Sequence, residues 1–382
     1  MTSACHPLSI LMVTPRCLPE MGGIETHVHE VGIRLARQGH AVTILATDRG
    51  GGLPAAETVA GMAVRRVAAW PRRRDYYFAP ALPREMARGQ WDVVHVQGCH
   101  TLVAPLAMAA ARWLGVPYVV TFHSGGHSSP LRNAFRRPQW LALGALVRGA
   151  AHCIGVSVFE AEFFRERMGL AEDKVSVVPN GAEMILLAEV AQPAEERGLI
   201  VSIGRLERYK GHHRVIEAFP SLLARRPESR LRIVGEGPYK RELLELVARL
   251  GLNDRVEIGG VPPAERARLA AIIGSAALVV LLSEYEAHPV AVMEALALNR
   301  RVLVTHGTGF MELVARGLVR SVPMDADAER IAEAMASELD CESPPLRADL
   351  ATWDGCARQL VEVYRGVRPK GGSRVALAST GK

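Results

Sequence analysis

Short apolar runs alternate with stretches of helical periodicity along this chain, and the alternation runs through twice. The first series holds SILMVTP (Ser9–Pro15), AVTILAT (Ala41–Thr47), GMAVRRVAA (Gly61–Ala69), WDVVHVQG (Trp91–Gly98) and PYVVTFH (Pro117–His123), then CIGVS (Cys153–Ser157), a helix and VSVVPNGAE. The second holds LIVSIGR (Leu199–Arg205), LRIVGEG (Leu231–Gly237), RVEIGG (Arg255–Gly260), AALVVLL (Ala276–Leu282) and RVLVTHG (Arg301–Gly307). Runs this short, rich in Val, Ile and Leu without polar alternation, are strands buried on both faces, which only a parallel sheet covered by helices provides. Repeated βα units joined by right-handed crossovers then leave few topologies open.

The expected fold is therefore α/β, with two Rossmann-like doubly wound domains facing an interdomain cleft. A chain of 382 residues is long enough for two cores. The first domain is expected over 1–180 and the second over 190–350. The boundary falls near Pro179–Gln192, where NGAE and AQPAEERG interrupt the regular elements. The tail 367–382, RPKGGSRVALASTGK from Arg368 onward, is polar, turn-rich and expected to be disordered.

Composition excludes several classes. A hydrophobic content of 49% and a charged content of 23% are those of a globular protein. The first residues lack a basic segment followed by an apolar core and cleavage site. The apolar stretch Leu269–Leu282 is too short to span a bilayer, and Leu102–Val120 is broken by Pro105, Arg112 and Pro117. A cytoplasmic location is expected, with the six cysteines, which show no metal-ligand spacing, as free thiols and with no metal or cofactor site. Charge is uneven: residues 1–150 carry 16 arginines against 8 acidic residues. A basic half attracts anionic lipid, acidic substrates or nucleic acid, or serves only solubility; nucleic acid is disfavoured because no helix-turn-helix, zinc or stacking signature accompanies the arginines.

Chemistry-bearing residues cluster where strands end, at the sheet edge where open α/β folds bind ligands. MGGIETHV puts Gly22 and Gly23 between the first strand and its helix, where glycine gives either a tight turn or close backbone approach to a phosphate. His123 ends VTFH, as a ligand or proton-transfer group or as an ordinary loop histidine. GRLERYKG brings Arg205 and Lys210 together, two cations that suit a diphosphate or simply a surface loop; lysine is rare here, 5 of 46 basic residues, which favours a role for Lys210. SEYEAHPVAVMEALALNR places Glu286 in a loop and Glu294 inside the following helix, with Pro289 suited to the first turn. VGEGP offers only a short GxG and no GxGxxG, which removes the main support for a nicotinamide-dependent oxidoreductase.

Taken in order, GGIETHV, DVVHVQG, VTFH, VVPNGAE, GRLERYKG, LRIVGEGP and EAHPVAVMEA resemble the GT-B-fold retaining glycosyltransferases of the family 4 group, from Ile10 to about Arg365. Glu286 and Glu294 match that group's E-x7-E signature. The resemblance implies an enzyme moving a sugar from a nucleotide-diphosphate sugar, of UDP or GDP type, to a hydroxyl of a glycan, lipid-linked or specialised-metabolite acceptor. It implies that Arg205 and Lys210 hold the diphosphate, that Glu294 binds the ribose, and that Glu286 with the backbone around His288, Pro289 and Val290 contacts the sugar and diphosphate. Gly22 and Gly23 would approach the diphosphate from the first domain, and His123 would touch the transferred sugar. It further implies that no metal is required and that a terminal helix, about 353–366, crosses back onto the first domain. His288 stands where that group commonly has an aromatic residue. A non-catalytic sugar-nucleotide-binding protein of the same fold is the alternative.

The resemblance also implies that the donor sits mainly on the second domain and the acceptor on the first, so the acceptor side is the basic one. PLRNAFRRPQWLALGALVRG combines Arg132, Arg136, Arg137 and Trp140 with an apolar stretch, as an interfacial helix or a plain amphipathic surface helix does. Peripheral contact with an anionic membrane stays open on that ground.

Overall fold

The computed structural model describes residues 6–20, 22–72, 77–99, 101–123, 143–182, 194–262, 265–341 and 350–368. The first sheet contains β1 (Ser9–Val13), β2 (Ala41–Asp48), β3 (Ala56–Val59), β4 (Met62–Ala68), β5 (Val93–Gln97), β6 (Tyr118–Thr121), β7 (His152–Gly155) and β8 (Val175–Val177). Its order is β3-β4-β2-β1-β5-β6-β7-β8, parallel throughout except for the β3–β4 pair. The second contains β9 (Glu196–Ile203), β10 (Arg230–Val234), β11 (Val256–Gly259), β12 (Ala276–Leu281), β13 (Arg301–Thr305) and β14 (Arg320–Val322), in the order β11-β10-β9-β12-β13-β14 and wholly parallel.

The apolar runs become the central strands: every residue of β5 and of β12 is buried. The apolar stretch Leu269–Leu282 divides into the end of the helix Arg266–Ser275 and β12. Two strands have no counterpart in the sequence reading. β3 is AETV and β14 is RSV, both at sheet edges. An edge strand pairs on one side and faces water, so burial does not impose an apolar pattern on it. The domain boundary near Pro179–Gln192 lies mostly outside the described residues, as do the tail beyond 368 and the residues Arg132, Arg136, Arg137 and Trp140. Among the described residues no helix is long and apolar enough to cross a membrane.

Strand order reverses between β1 and β5 in one sheet and between β9 and β12 in the other. At such a switch point the crossovers leave in opposite directions, and a crevice opens beyond the carboxyl ends of the strands. The loops after β1, β5, β9 and β12 are therefore the ones positioned to bind a ligand.

The helix Trp353–Val367 follows the second domain in sequence but packs in the first. Trp353, Cys356, Ala357, Leu360, Val361 and Tyr364 are buried in the same cluster as Ile10, Met12, Val28, Val31 and Leu35. Gly181 makes room for its start, since a Cβ there would lie 2.2 Å from the Trp353 backbone nitrogen. Arg34, only 2% exposed, pairs with Glu30 at 2.6 Å and with Asp354 at 3.2 Å. Farther along, the Tyr364 hydroxyl sits 2.6 Å from His95 Nδ1, which also accepts from Gln97 Nε2 at 3.1 Å; His95 Nε2 then carries the proton and donates to Thr121 Oγ1 at 2.7 Å. A second link runs between domains: the Glu312 carboxylate accepts from the backbone N–H of Val158 at 2.6 Å and of Phe159 at 3.4 Å, at the N-terminus of the helix Val158–Met168.

Glu312→Ala leaves those N–H groups to water and is expected to lower stability by about 1 kcal/mol, in line with loss of a helix cap; chemical denaturation of the variant against wild type checks it. The buried histidines give a pH signature. Burial pushes the His95 imidazole down to about 3 and His27 down to about 4, from an ordinary value of 6.5. Between those values and 6.5 the unfolded chain binds protons that the folded chain refuses, so this stabilisation is complete above about 6.5 and declines as pH falls through the window. Buried Glu25 and Glu294, whose carboxyls are raised by burial, act in the opposite sense at low pH, so the comparison is differential. The drop in Tm between pH 6.5 and 4, measured by calorimetry, is expected to be smaller in His95→Gln than in wild type.

Candidate functional site

The second domain supplies the charged wall. β9 ends at Ile203 and runs into Gly204 and Arg205, after which a short 3-10 turn, Arg208–Lys210, delivers Lys210. Gly211 follows with φ +74°, and a Cβ there would lie 2.0 Å from the Leu282 carbonyl oxygen. Only glycine permits that close crossing of the two switch-point loops. As a result Lys210 meets the loop after β12: its Nζ donates to Glu286 Oε1 at 2.7 Å, and Ser283 Oγ donates to the same oxygen at 2.8 Å. Burial alone would lower the Lys210 ammonium, but the charge and hydrogen bond of Glu286 more than offset it and hold the pKa above the ordinary value. Lys210 is thus a desolvated, permanently charged cation.

Backbone contacts fix the Glu286 loop. Glu286 N donates to Thr308 Oγ1 at 3.1 Å, Gly309 N donates to the Glu286 carbonyl at 2.8 Å, and Glu284 N donates to the Tyr209 carbonyl at 2.8 Å. Pro289 then precedes the helix Val290–Ala297, which begins without a side-chain cap. Its first N–H groups are the kind that bind anions. Glu294, a turn into this helix, is 5% exposed and bound to Arg266 Nη2 at 2.6 Å. Burial raises its pKa, with Arg266 pulling the other way. Arg205 is the exposed member of the group, with its side chain 47% accessible and paired to Glu207 at 2.8 Å. VGEGP serves the same loop structurally: Leu206 N donates to the Glu236 carbonyl at 3.0 Å and Tyr239 N to that of Leu206 at 2.9 Å.

The first domain supplies the opposite wall. Gly22 precedes the helix Gly23–Arg37, again with no side-chain cap, and among the described residues nothing beyond its own turn of chain lies within 4 Å of where a Gly23 Cβ would be. His123, at the end of β6, sits in left-handed backbone geometry with φ +43°, uncommon for a residue with a side chain. Its Nε2 donates to Gln97 Oε1 at 2.7 Å, which ties it through Gln97 to His95 and Tyr364. His27 stacks edge-on against His123 with centroids 4.6 Å apart and bonds Asn180 Oδ1 through Nδ1 at 2.7 Å.

His288 comes from the second domain to this cluster. Burial pushes its imidazole down to about 4, with His27 close enough to add its charge. Both His27 Nε2 and His288 Nδ1 are buried without a hydrogen-bond partner among the described residues. The structure thus brings Lys210 and Glu286 together, with Arg205 in the same loop as Lys210 and with His288, Pro289 and Val290 following Glu286; in the first domain Gly22 lies beside Glu25, with Gly23 next in the chain, and His123 lies beside His27. Glu294 stands deeper, behind Arg266.

Sequence reasoning missed Glu25, His27 and Gln97. His27 lies four residues beyond Gly23 on the inner face of its helix, and Gln97 is a polar residue within an otherwise apolar strand; each is a signal of a kind, though neither spacing says which ring it meets. Glu25 is buried in an ion pair with Arg16 at 3.1 Å, and its pKa is raised by burial despite Arg16. Among the described residues no group of three or more His, Cys, Asp or Glu stands arranged to hold a metal ion.

Comparison with known proteins agrees with this architecture. Residues 21–184 match the model of glycosyltransferase family 4, and residues 187–352 match that of glycosyl transferases group 1. The chain is 31% identical over 394 residues to a D-inositol 3-phosphate glycosyltransferase of Nocardiopsis dassonvillei, covering 91% of this chain and 90% of the relative. It is 28% identical to a glycogen synthase of Mycobacterium tuberculosis, covering 94% of each. Among solved structures, sucrose-phosphate synthase of Thermosynechococcus elongatus superposes with a TM-score of 0.73 at 19% identity, over 94% of this chain and 99% of the other. HepE of Anabaena, solved in complex with UDP and glucose, gives 0.68 at 17% identity, over 94% and 98%. With both halves matched in order and two parallel sheets meeting at a cleft, the chain belongs to the GT-B-fold glycosyltransferases of the family 4 group.

Proposed function

We propose that the protein is a retaining glycosyltransferase that takes its sugar from a UDP- or GDP-sugar and attaches it to an acceptor hydroxyl. The observation that carries this reading is the Lys210–Glu286 pair, a desolvated cation and anion 2.7 Å apart at the switch point of the second sheet. A diphosphate needs cations, and a departing diphosphate needs them most as the glycosidic bond breaks; charge fixed in a partly dry cleft acts on that step with little reorganisation. Arg205 and Lys210 take this role, assisted by the uncapped helix starts at Gly22–Gly23 and Pro289–Val290. Glu294 binds the ribose hydroxyls once they displace Arg266, and Glu286 and His288 meet the sugar. His123 contacts the same sugar from the first domain.

Retention follows from attack on the face that the leaving group departs from. The anomeric C–O bond to the diphosphate breaks with its electron pair, the acceptor oxygen bonds to the same face, and the departing phosphate oxygen takes the acceptor proton. No protein nucleophile or metal is assigned in this scheme. Relatives support the donor class: HepE of Anabaena is solved with UDP and with UDP-glucose. They do not agree on an acceptor, being named for inositol phosphate in one case and glycogen in another.

Lys210→Ala is expected to reduce turnover by about two orders of magnitude or more, the scale of losing one charged transition-state contact, with circular dichroism unchanged. Release of UDP or GDP from a panel of nucleotide sugars, with and without candidate acceptors, measures it; near-normal turnover would overturn the site assignment. Tight nucleotide binding with no turnover from any donor would favour a sugar-nucleotide-binding protein instead. Transfer is also expected to persist after EDTA treatment, and activity restored only by a divalent cation would contradict the role given to Arg205 and Lys210.

A further inference from the structure

The first domain contains a cavity of about 370 Å³ that the donor site does not use. It lies between β2, the β3–β4 edge and the helix Gly23–Arg37. Its deep wall is Val28, Ile44, Met62 and Val64, and Leu53 and Val59 stand at its half-exposed rim. Ile44 and Val64 are register partners, so the apolar residues form one continuous floor on a single face of the sheet. A volume of this size is within the range of small-molecule sites.

The charged groups around the cavity are already engaged. Arg66, with its side chain 3% exposed, binds Glu57 at 2.5 Å, the Leu18 carbonyl at 2.8 Å and the Pro54 carbonyl at 3.0 Å. Its charge is consumed within the chain, so the cavity is not built for an anion. Glu25 is the lining residue that faces two ways. It lines the cavity, and its carboxylate lies so near Gly22 that a Cβ there would come within 2.5 Å of Oε2. Arg205 of the second domain stands close enough for its charge to act on the same carboxyl. One end of the cavity therefore adjoins the cleft that receives the donor.

We propose that this cavity holds the apolar part of the acceptor, so that the substrate is amphipathic: a hydroxyl-bearing head at Glu25 and an apolar aglycone, alkyl or aryl, over Ile44, Met62 and Val64. The proposal rests on the glycosyltransferase reading and narrows it, because a wholly polar glycan would leave this floor unfilled. Glu25 acts as a hydrogen-bond acceptor that positions the head. Transfer of the proton stays with the departing phosphate.

The test uses n-octyl β-D-glucoside, below its micelle concentration, against methyl β-D-glucoside, each titrated into the full-length protein with UDP present. Each methylene buried is worth about fourfold in affinity, so the octyl compound is expected to bind at least about tenfold tighter. Val59→Trp and Leu53→Trp are chosen to fill the cavity from its half-exposed rim. Both are expected to abolish the octyl preference while leaving UDP affinity unchanged. Equal affinity for the two glucosides, no binding of either, or an octyl preference that survives in both variants would overturn the proposal. Failure of UDP to bind, with the octyl preference intact, would instead count against the glycosyltransferase reading.

Discussion

Burial of the helix Trp353–Val367 is the constraint on which the arrangement of this molecule depends. The chain builds one domain, then the other, and then returns to the first to fill a gap in its core. Six apolar or aromatic side chains go in, and a nearly inaccessible arginine, Arg34, is left paired across the seam with Asp354. Arg34 is held by Glu30 of its own helix as well, so the bond to Asp354 fixes the start of the crossing helix against a guanidinium that is already buried and oriented. The chain that leaves the second domain is thereby anchored in the core of the first. Glu312, reaching from the second domain to the helix start at Val158, adds a polar contact to the same junction.

The crossing helix also reaches the chemistry. Tyr364, His95, Gln97 and His123 form a chain of hydrogen bonds from its last turns to the ring at the cleft. Since His95 accepts from both Tyr364 and Gln97, the direction of each bond is fixed and His123 presents one orientation. The rings of His27 and His95, held neutral by burial, bond as oriented donors and acceptors without adding charge to the site. The charge at the site is concentrated instead in Arg205 and in Lys210, whose ammonium is secured by Glu286. The second domain thus contributes Arg205 and Lys210 together with the His288 ring and the uncapped start at Val290, and the first contributes the His27 and His123 rings and the uncapped start at Gly23.

Legibility in the sequence followed burial. Central strands such as β5 and β12 were plain because both faces are covered, whereas β3 and β14 were hidden because an edge needs no apolar pattern. Arg205, Lys210, Glu286 and His123 were legible because each immediately follows a strand or stands within a few residues of its end. Glu25, His27 and Gln97 were not, since their importance lies in what they face. The apolar cavity was invisible for the same reason: Ile44, Leu53, Met62 and Val64 read as ordinary core and loop residues until the β3 edge folded over them.

By itself the sequence determined the α/β class, the two parallel sheets and the positions of the strand ends, because the alternation of buried strand and amphipathic helix is a local property of the chain. It also determined which loops carry charge. Only the tertiary structure decided that Lys210 and Glu286, 76 residues apart, share a hydrogen bond, that the His27 ring packs edge-on against His123, and that a helix at residue 353 completes a core begun at residue 8. Those pairings depend on strand order and on desolvation at long range, and neither is encoded in the spacing of residues along the chain.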